Sequence, residues 1–275
     1  MGTAGNHETE KIMPYILEET GDFAVVFKPP GMHCAPLHSG ESGTLFGWYA
    51  AVFPPVMRLC GKKLVEGGLV HRLDFETSGL VLFAKNQKSL DSLAGQQAGG
   101  IFVKEYTAVC LKDAETGKSG TTERLPGFPP APFSFTQTES LSGLAIESFF
   151  RPFGPGRKQV RPVARAVKPQ SPLSKNRVAG DQGWCYRTEI LAAQNIGESG
   201  LCKFELRLKR GFRHQIRCHL AWVGCPILND PVYSNTRPSL PFSFMALSST
   251  ALSFDDPETG IRRNFRISPP DFFST

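Results

Sequence analysis

Few groups in this chain have both the chemistry and the setting for catalysis. The clearest is Asp74, a carboxylate in the segment Val70–Thr77, set between Leu73 and Phe75, with His71 and Arg72 just ahead of it. Tyr106 follows in a stretch of alternating character, and Arg213, His214, Gln215 and Arg217 gather where a helical pattern begins. If these groups line a pocket, they are candidates for acid, base or nucleophile. A single Asp in a tight turn is more often an acceptor for Arg72 or for backbone amides, so Asp74 alone decides nothing.

Other chemistries lose their usual handles. The chain has no G-x-x-x-x-G-K-[ST] phosphate loop, no G-x-G-x-x-G fingerprint and no G-x-S-x-G nucleophile elbow. His214 and His219 are five apart, which turns them to different helix faces, so no metal is expected. A glycosidase needs two carboxylates at a set separation, and Asp74 has only Glu76 near it in sequence.

Composition sets the frame. The chain has 275 residues, of which 40% are hydrophobic, enough to bury one substantial core. Thirty-one basic residues against 25 acidic ones give a formal charge of +6, which favours a polyanionic partner. The seven cysteines are scattered without a C-x-x-C pair, as expected of reduced thiols in a cytoplasmic protein. No stretch approaches the roughly 20 apolar residues of a membrane span. A monomer with no membrane association and no obligate protein partner is expected.

The elements that must position these groups follow from periodicity. "YILEETGDFAVVFKPPG" suggests a hairpin, Ser42 to Phe53 a helix stopped by Pro54-Pro55, and "GLVLFAKN" a buried strand. Asn86 can cap a helix over "QKSLDSLAGQQ", and "IFVKEYTAVCLK" is a strand with Phe102, Lys104, Tyr106 and Ala108 on one face. "CYRTEILAAQ" and "GLCKFELRLKRG" are paired strands. "FRHQIRCHLAWVG" is a helix that puts His214, Arg217, Cys218 and Ala221 on one side, and two more strands close the chain. The sum is one α+β domain, residues 13–275, with a mainly antiparallel mixed sheet flanked by helices, behind a poorly ordered tail of residues 1–12. Between about 151 and 180 runs a Pro-rich excursion, in which Arg151 to Arg177 holds eight basic residues and no acidic one. Either a solvated loop or a clamp on the backbone of a polyanion fits that run.

"HRLDFETSGLVLFAKN" resembles the H-R-L-D-x-x-T-S-G motif of the RluA-type pseudouridine synthases, matched at His71, Arg72, Leu73, Asp74, Thr77, Ser78 and Gly79. Four further segments match in the family's order: "FAVVFKPPGM", "VKEYTAV", "HQIRCHLAWVGCPILNDPVY" and "ISPPDF". The resemblance implies a pseudouridine-synthase-like domain around a central RNA-binding cleft. It also implies an enzyme that, without cofactor, isomerises uridine to pseudouridine in structured RNA, either ribosomal large-subunit RNA or tRNA. The family's catalytic Asp falls on Asp74, its active-site Tyr on Tyr106 and its Asp-pairing Arg on Arg217. Arg72 is implied as the group that compensates an unstacked uridine. With the basic character of the chain, the resemblance suggests RNA contacts from His71, Lys158, Arg161, Lys209, Arg210, Arg213, His214 and Gln215. Some family members carry an N-terminal S4 domain, for which the residues ahead of the first matched segment are too few. An RNA-binding module without catalysis is the alternative, and it leaves Asp74 unexplained.

The chain departs from the family pattern at Phe212-Arg213, where G-R-T-H is common, and at Ser248, where a histidine is frequent. Both departures bear on specificity more than on activity.

Overall fold

The computed structural model describes residues 12–38, 40–61, 64–111, 126–133, 139–164, 185–197, 200–234 and 244–270. The tail expected at 1–12 falls almost wholly outside them.

Strands β1 (Tyr15–Glu19) and β2 (Phe23–Lys28) form the expected hairpin, closed by the Thr20 hydroxyl, which accepts from the amides of Asp22 and Phe23, each at 3.1 Å. Helix α1 (Leu45–Val52) is shorter than the sequence suggests. It starts where Thr44 Oγ1 accepts from Gly47 N at 3.1 Å, and it stops ahead of Pro54-Pro55. Strand β3 (Ser78–Ala84) is buried throughout. Helix α2 (Gln87–Gly99) begins at Asn86, whose side chain accepts from Ser89 N, and ends at Gly100 in the left-handed region with φ 75°. Strand β4 (Val103–Leu111) completes a strand–helix–strand unit.

The basic run departs from the expected excursion. Its first part belongs to a hairpin of β5 (Ala145–Phe153) and β6 (Gln159–Val163). Ala145–Ser148 pair with β7 (Tyr186–Ile196), whereas Phe149–Phe153 pair only with β6, so the hairpin leaves the main sheet halfway along β5. The apolar side chains of Phe150 and Val160 carried by this hairpin are buried against Cys218 and Tyr233, which a solvated loop could not supply. Arg165, Lys168, Lys175 and Arg177 lie outside the described residues.

Strand β8 (Leu201–Leu208), helix α3 (Gln215–Trp222), β9 (Leu247–Asp255) and β10 (Arg262–Arg266) complete the fold. The strand order is β1-β2-β3-β9-β4-β8-β7-β5-β6, with β10 on β9. Neighbouring strands are antiparallel except β3 and β9, which run parallel where Ser78 and Gly79 meet Ser248 and Ser249. Gly79 permits that contact: its φ is 114°, and a Cβ there would lie 2.3 Å from the Ser249 carbonyl oxygen. Alternate residues of β2 and β3 serve two cores. Val26, Val81 and Phe83 pack on the side of α1 and α3, while Val25, Leu80 and Leu82 pack on the side of α2.

Candidate active site

The loop carrying Asp74 leads into β3 just before the parallel contact, and it is tied down on several sides. Cys34 Sγ accepts from Leu73 N at 3.1 Å and donates to Leu73 O at 3.4 Å. The buried Lys28 ammonium donates to the carbonyls of Pro29, Met32 and Phe75, so all three of its protons are used. Thr77 N donates to Asp74 O at 3.2 Å, closing the turn. Asp74 itself keeps a quarter of its side chain exposed, facing a cleft of about 950 Å³.

Arg217 reaches the loop from α3 with its side chain 1% exposed. It donates through Nη1 to Asp74 Oδ2 at 3.1 Å and to Glu76 Oε2 at 3.4 Å. The expected pairing with Asp74 is one part of a larger arrangement. Nε and Nη2 form a fork with the two oxygens of Asp230, at 2.8 and 2.9 Å. Burial alone would strip charge from Arg217, but the Asp230 bonds and the charges of Asp74 and Glu76 outweigh it and hold the guanidinium firmly protonated. Asp230 is fixed in turn, since its Oδ1 accepts from the amides of Val232 and Tyr233 at 2.8 and 3.0 Å.

Tyr106 lines the same cleft from β4 and is 7% exposed. Opposite it the register with β9 slips, Glu105 facing Ala251 and Tyr106 facing Ser249, so a bulge sets the direction of the tyrosine. Burial first, and then the Asp74 charge, hold its phenol well above the ordinary tyrosine range. The phenol therefore stays protonated at neutral pH.

His214 caps α3 in the left-handed region, φ 56°. Its Nε2 lies 4.0 Å from Asp74 Oδ2, and its Nδ1 shares a hydrogen bond with the Tyr233 hydroxyl at 3.1 Å. Burial lowers the imidazole to about 4, so it is neutral in the resting site.

The remaining expected contacts divide. Arg72 is 55% exposed, held at 3.0 Å by Glu66, and lines the cleft with Lys158 and Arg213. Arg213 also donates to the carbonyls of Arg157 and Gln159, fastening the tip of the β5–β6 hairpin. Lys209 and Arg210 line a separate groove with Arg187 and Arg207.

Three placements correct the sequence reading. Arg161 is 2% exposed, donating to Pro126 O, Val160 O and Gln159 Oε1 between the rings of Phe128 and Phe153, so it holds the hairpin instead of offering a phosphate contact. His71 is buried edge-on to Phe102 with Nε2 accepting from Leu82 N, and burial pushes it far below the ordinary histidine range, so it brings no positive charge to RNA. Gln215 spends its amide on Phe212 N, Arg187 O and Thr188 Oγ1. Asp230, Glu76 and Lys28 acquire roles that their sequence positions alone do not disclose. Asp230 stood in a matched segment, and its spacing of two residues before Val232 and three before Tyr233 was a turn signal.

A family model described as RNA pseudouridylate synthase matches residues 22–222. The chain belongs to the RNA pseudouridine synthase family. Among relatives of this synthase, "Uncharacterized RNA pseudouridine synthase YlyB" of Bacillus subtilis (strain 168) is 27% identical over 93% of the chain and 69% of its own length. "Ribosomal large subunit pseudouridine synthase D" of Nitrosomonas europaea is 26% identical over 85% of the chain and 53% of its own length. Among solved structures, "Human RNA Pseudouridylate Synthase Domain Containing 1" aligns with TM-score 0.59 at 19% identity, covering 94% of this chain and 84% of that one. That likeness extends over the fold just described. No described helix of the synthase is long and apolar enough to cross a membrane.

Proposed function

We propose that this synthase isomerises uridines in structured RNA, ribosomal large-subunit RNA or tRNA, with Asp74 as the nucleophile. The arrangement that carries the reading is Asp74 on the cleft wall, oriented by an Arg217 that Asp230 has already fixed. An arginine so held cannot swing away when the carboxylate moves onto substrate.

The reaction balances within the nucleotide. The Asp74 carboxylate attacks C1′ or stabilises its cationic character as the C1′–N1 bond breaks with its electron pair on N1; the freed uracil turns, C5 bonds to C1′ and releases the carboxylate, and the C5 proton is passed to N1. In this reading the Tyr106 ring stacks on the displaced base, and its phenol, protonated at rest, relays a proton, giving its own up as it takes the one from C5. Arg72, Lys158 and Arg213 meet the RNA backbone around the cleft. We place the chain in the cytoplasm, in keeping with seven cysteines scattered without a C-x-x-C pair. We take the working unit to be a monomer.

The test is liquid-chromatographic detection of pseudouridine after mixing the protein with transcribed ribosomal and transfer RNA. Pseudouridine from the wild-type chain and none from Asp74→Asn is the expected result. RNA binding with no pseudouridine from either would leave a binding module.

A further inference from the structure

We propose that Phe75 is a stacking platform for an unpaired nucleobase beside the target uridine. The proposal rests on the reading of RNA as substrate and adds a subsite to it. Phe75 directly follows Asp74, and it is 41% exposed where the neighbouring Leu73 and Thr77 are 8% and 2% exposed. Its ring lines the same cleft as Asp74. An apolar ring left open beside a reactive carboxylate gains from whatever flat apolar surface covers it.

The ring sits on a fixed base. The Phe75 carbonyl accepts from Gly31 N at 2.9 Å, Met32 N at 3.3 Å and Lys28 Nζ at 3.2 Å. His33 packs against the ring with centroids 4.6 Å apart and planes inclined by 48°. The His33 carbonyl is itself held by Leu45 N, at the start of α1, at 2.9 Å. The backbone beneath the ring is therefore fixed before a base settles on Phe75, and His33 bounds the ring on one side.

Charge chooses the occupant. Arg72, Lys158 and Arg213 line the cleft with Phe75, among the carboxylates of Glu66, Asp74, Glu76 and Asp91, and cations in the same cleft as an aromatic platform fit a base carried between phosphates. A uridine drawn toward Asp74 must leave its stack, and its neighbour loses a stacking partner in the same step. Phe75, adjacent to Asp74 in the loop, can replace that partner.

The experiment compares a 12-nucleotide uridine RNA with an abasic oligonucleotide of equal length and charge, using the full chain as wild type and as Phe75→Ala, Phe75→Leu and Phe75→Trp. Wild type should prefer the base-bearing strand, and Phe75→Ala should cut that preference roughly 5- to 150-fold, the range of base–aromatic stacking. Phe75→Leu keeps bulk against His33 without a π-face and should behave like Ala, whereas Phe75→Trp should restore the preference. Its added tryptophan fluorescence should be quenched by the uridine strand and not by the abasic one. Pseudouridine formation with an undiminished preference in Phe75→Ala, or restoration by Leu, overturns the platform while leaving the enzyme reading intact. Failure of wild type to bind RNA or form pseudouridine overturns both.

Discussion

Arg217 gives Asp230 two of its nitrogens and Asp74 only a third, which Glu76 shares. The shortest contacts of this arginine are thus made to a residue closed off from the cleft. Asp230 is fully buried and Asp74 is not, so one side of this arginine belongs to the core and the other to the cleft.

Asp74→Asn removes the nucleophile and keeps its shape. The variant should fold, bind RNA with near-wild-type affinity and lose more than about 10³-fold in turnover. Turnover within tenfold of wild type would rule out Asp74 as nucleophile.

Arg217→Met leaves the buried Asp230 without a counter-charge and should cost about 3–5 kcal/mol in urea unfolding. Adding Asp230→Asn retains an acceptor for the amides of Val232 and Tyr233 and removes the stranded charge, so part of the stability should return. Activity should not return with it. Recovery of both together would mean that Arg217 serves the fold alone.

Tyr106→Phe preserves the ring and deletes a phenol that burial and Asp74 keep protonated. We expect RNA binding unchanged and turnover lowered about 10²- to 10⁴-fold, as for loss of a proton-transfer group. Tyr106→Leu should weaken binding as well. A silent Phe variant would confine Tyr106 to stacking.

Acid should unfold the chain through its buried imidazoles. His214 is lowered to about 4 and His219 to about 3, in each case chiefly by burial, from an ordinary value of 6.5. As pH falls from 6.5 toward 4, the unfolded chain takes up protons that the folded chain refuses, so the stability these groups carry above 6.5 is progressively lost. Each histidine should contribute about 1.4 kcal/mol per pH unit in that window. His219→Gln, measured by urea unfolding at pH 7, 6 and 5, should reduce the slope by one such increment; an unchanged slope would contradict the assignment.

Lys158 and Arg161 stand three apart and should behave oppositely. Lys158→Ala should flatten the dependence of log affinity on log salt by about 0.7, the contribution of one phosphate contact on single-stranded RNA. Arg161→Met should leave that slope alone and cost about 2–3 kcal/mol in stability, because the carbonyls of Pro126 and Val160 lose a charged donor. Exchanged outcomes would reverse the placement of the two side chains.

What the sequence made legible is local. The apolar run of β3 from residue 80 to 84, the Asn86 cap of α2 and the alternation of β8 dictate their own elements. Asp74, Tyr106 and Arg217 lie in long motifs, and the fold brings the three to one cleft. Arg161 cannot be placed that way, since its basic neighbours suggest solvent, and of the rings that enclose it Phe128 comes from another segment and Phe153 from the opposite strand of the hairpin. His71 was misread for a related reason: it sits beside Arg72, which is exposed, yet the Phe102 ring that covers it arrives from beyond α2. Asp230 lies 13 residues from its arginine, and only the fold of the intervening turn closes that gap.

Gly79 gives the two reactive side chains a common gauge. Asp74 is carried by the loop that enters β3, Tyr106 rides on β4, and β9 is the rail between them, touching β3 only at the point where Gly79 has no side chain. A single added methyl at residue 79 would lie 2.3 Å from the Ser249 carbonyl oxygen, so β3 and β9 could not keep their present spacing. The approach of the strand behind Asp74 to the neighbour of the strand that bears Tyr106 thus rests on an atom that the chain leaves out.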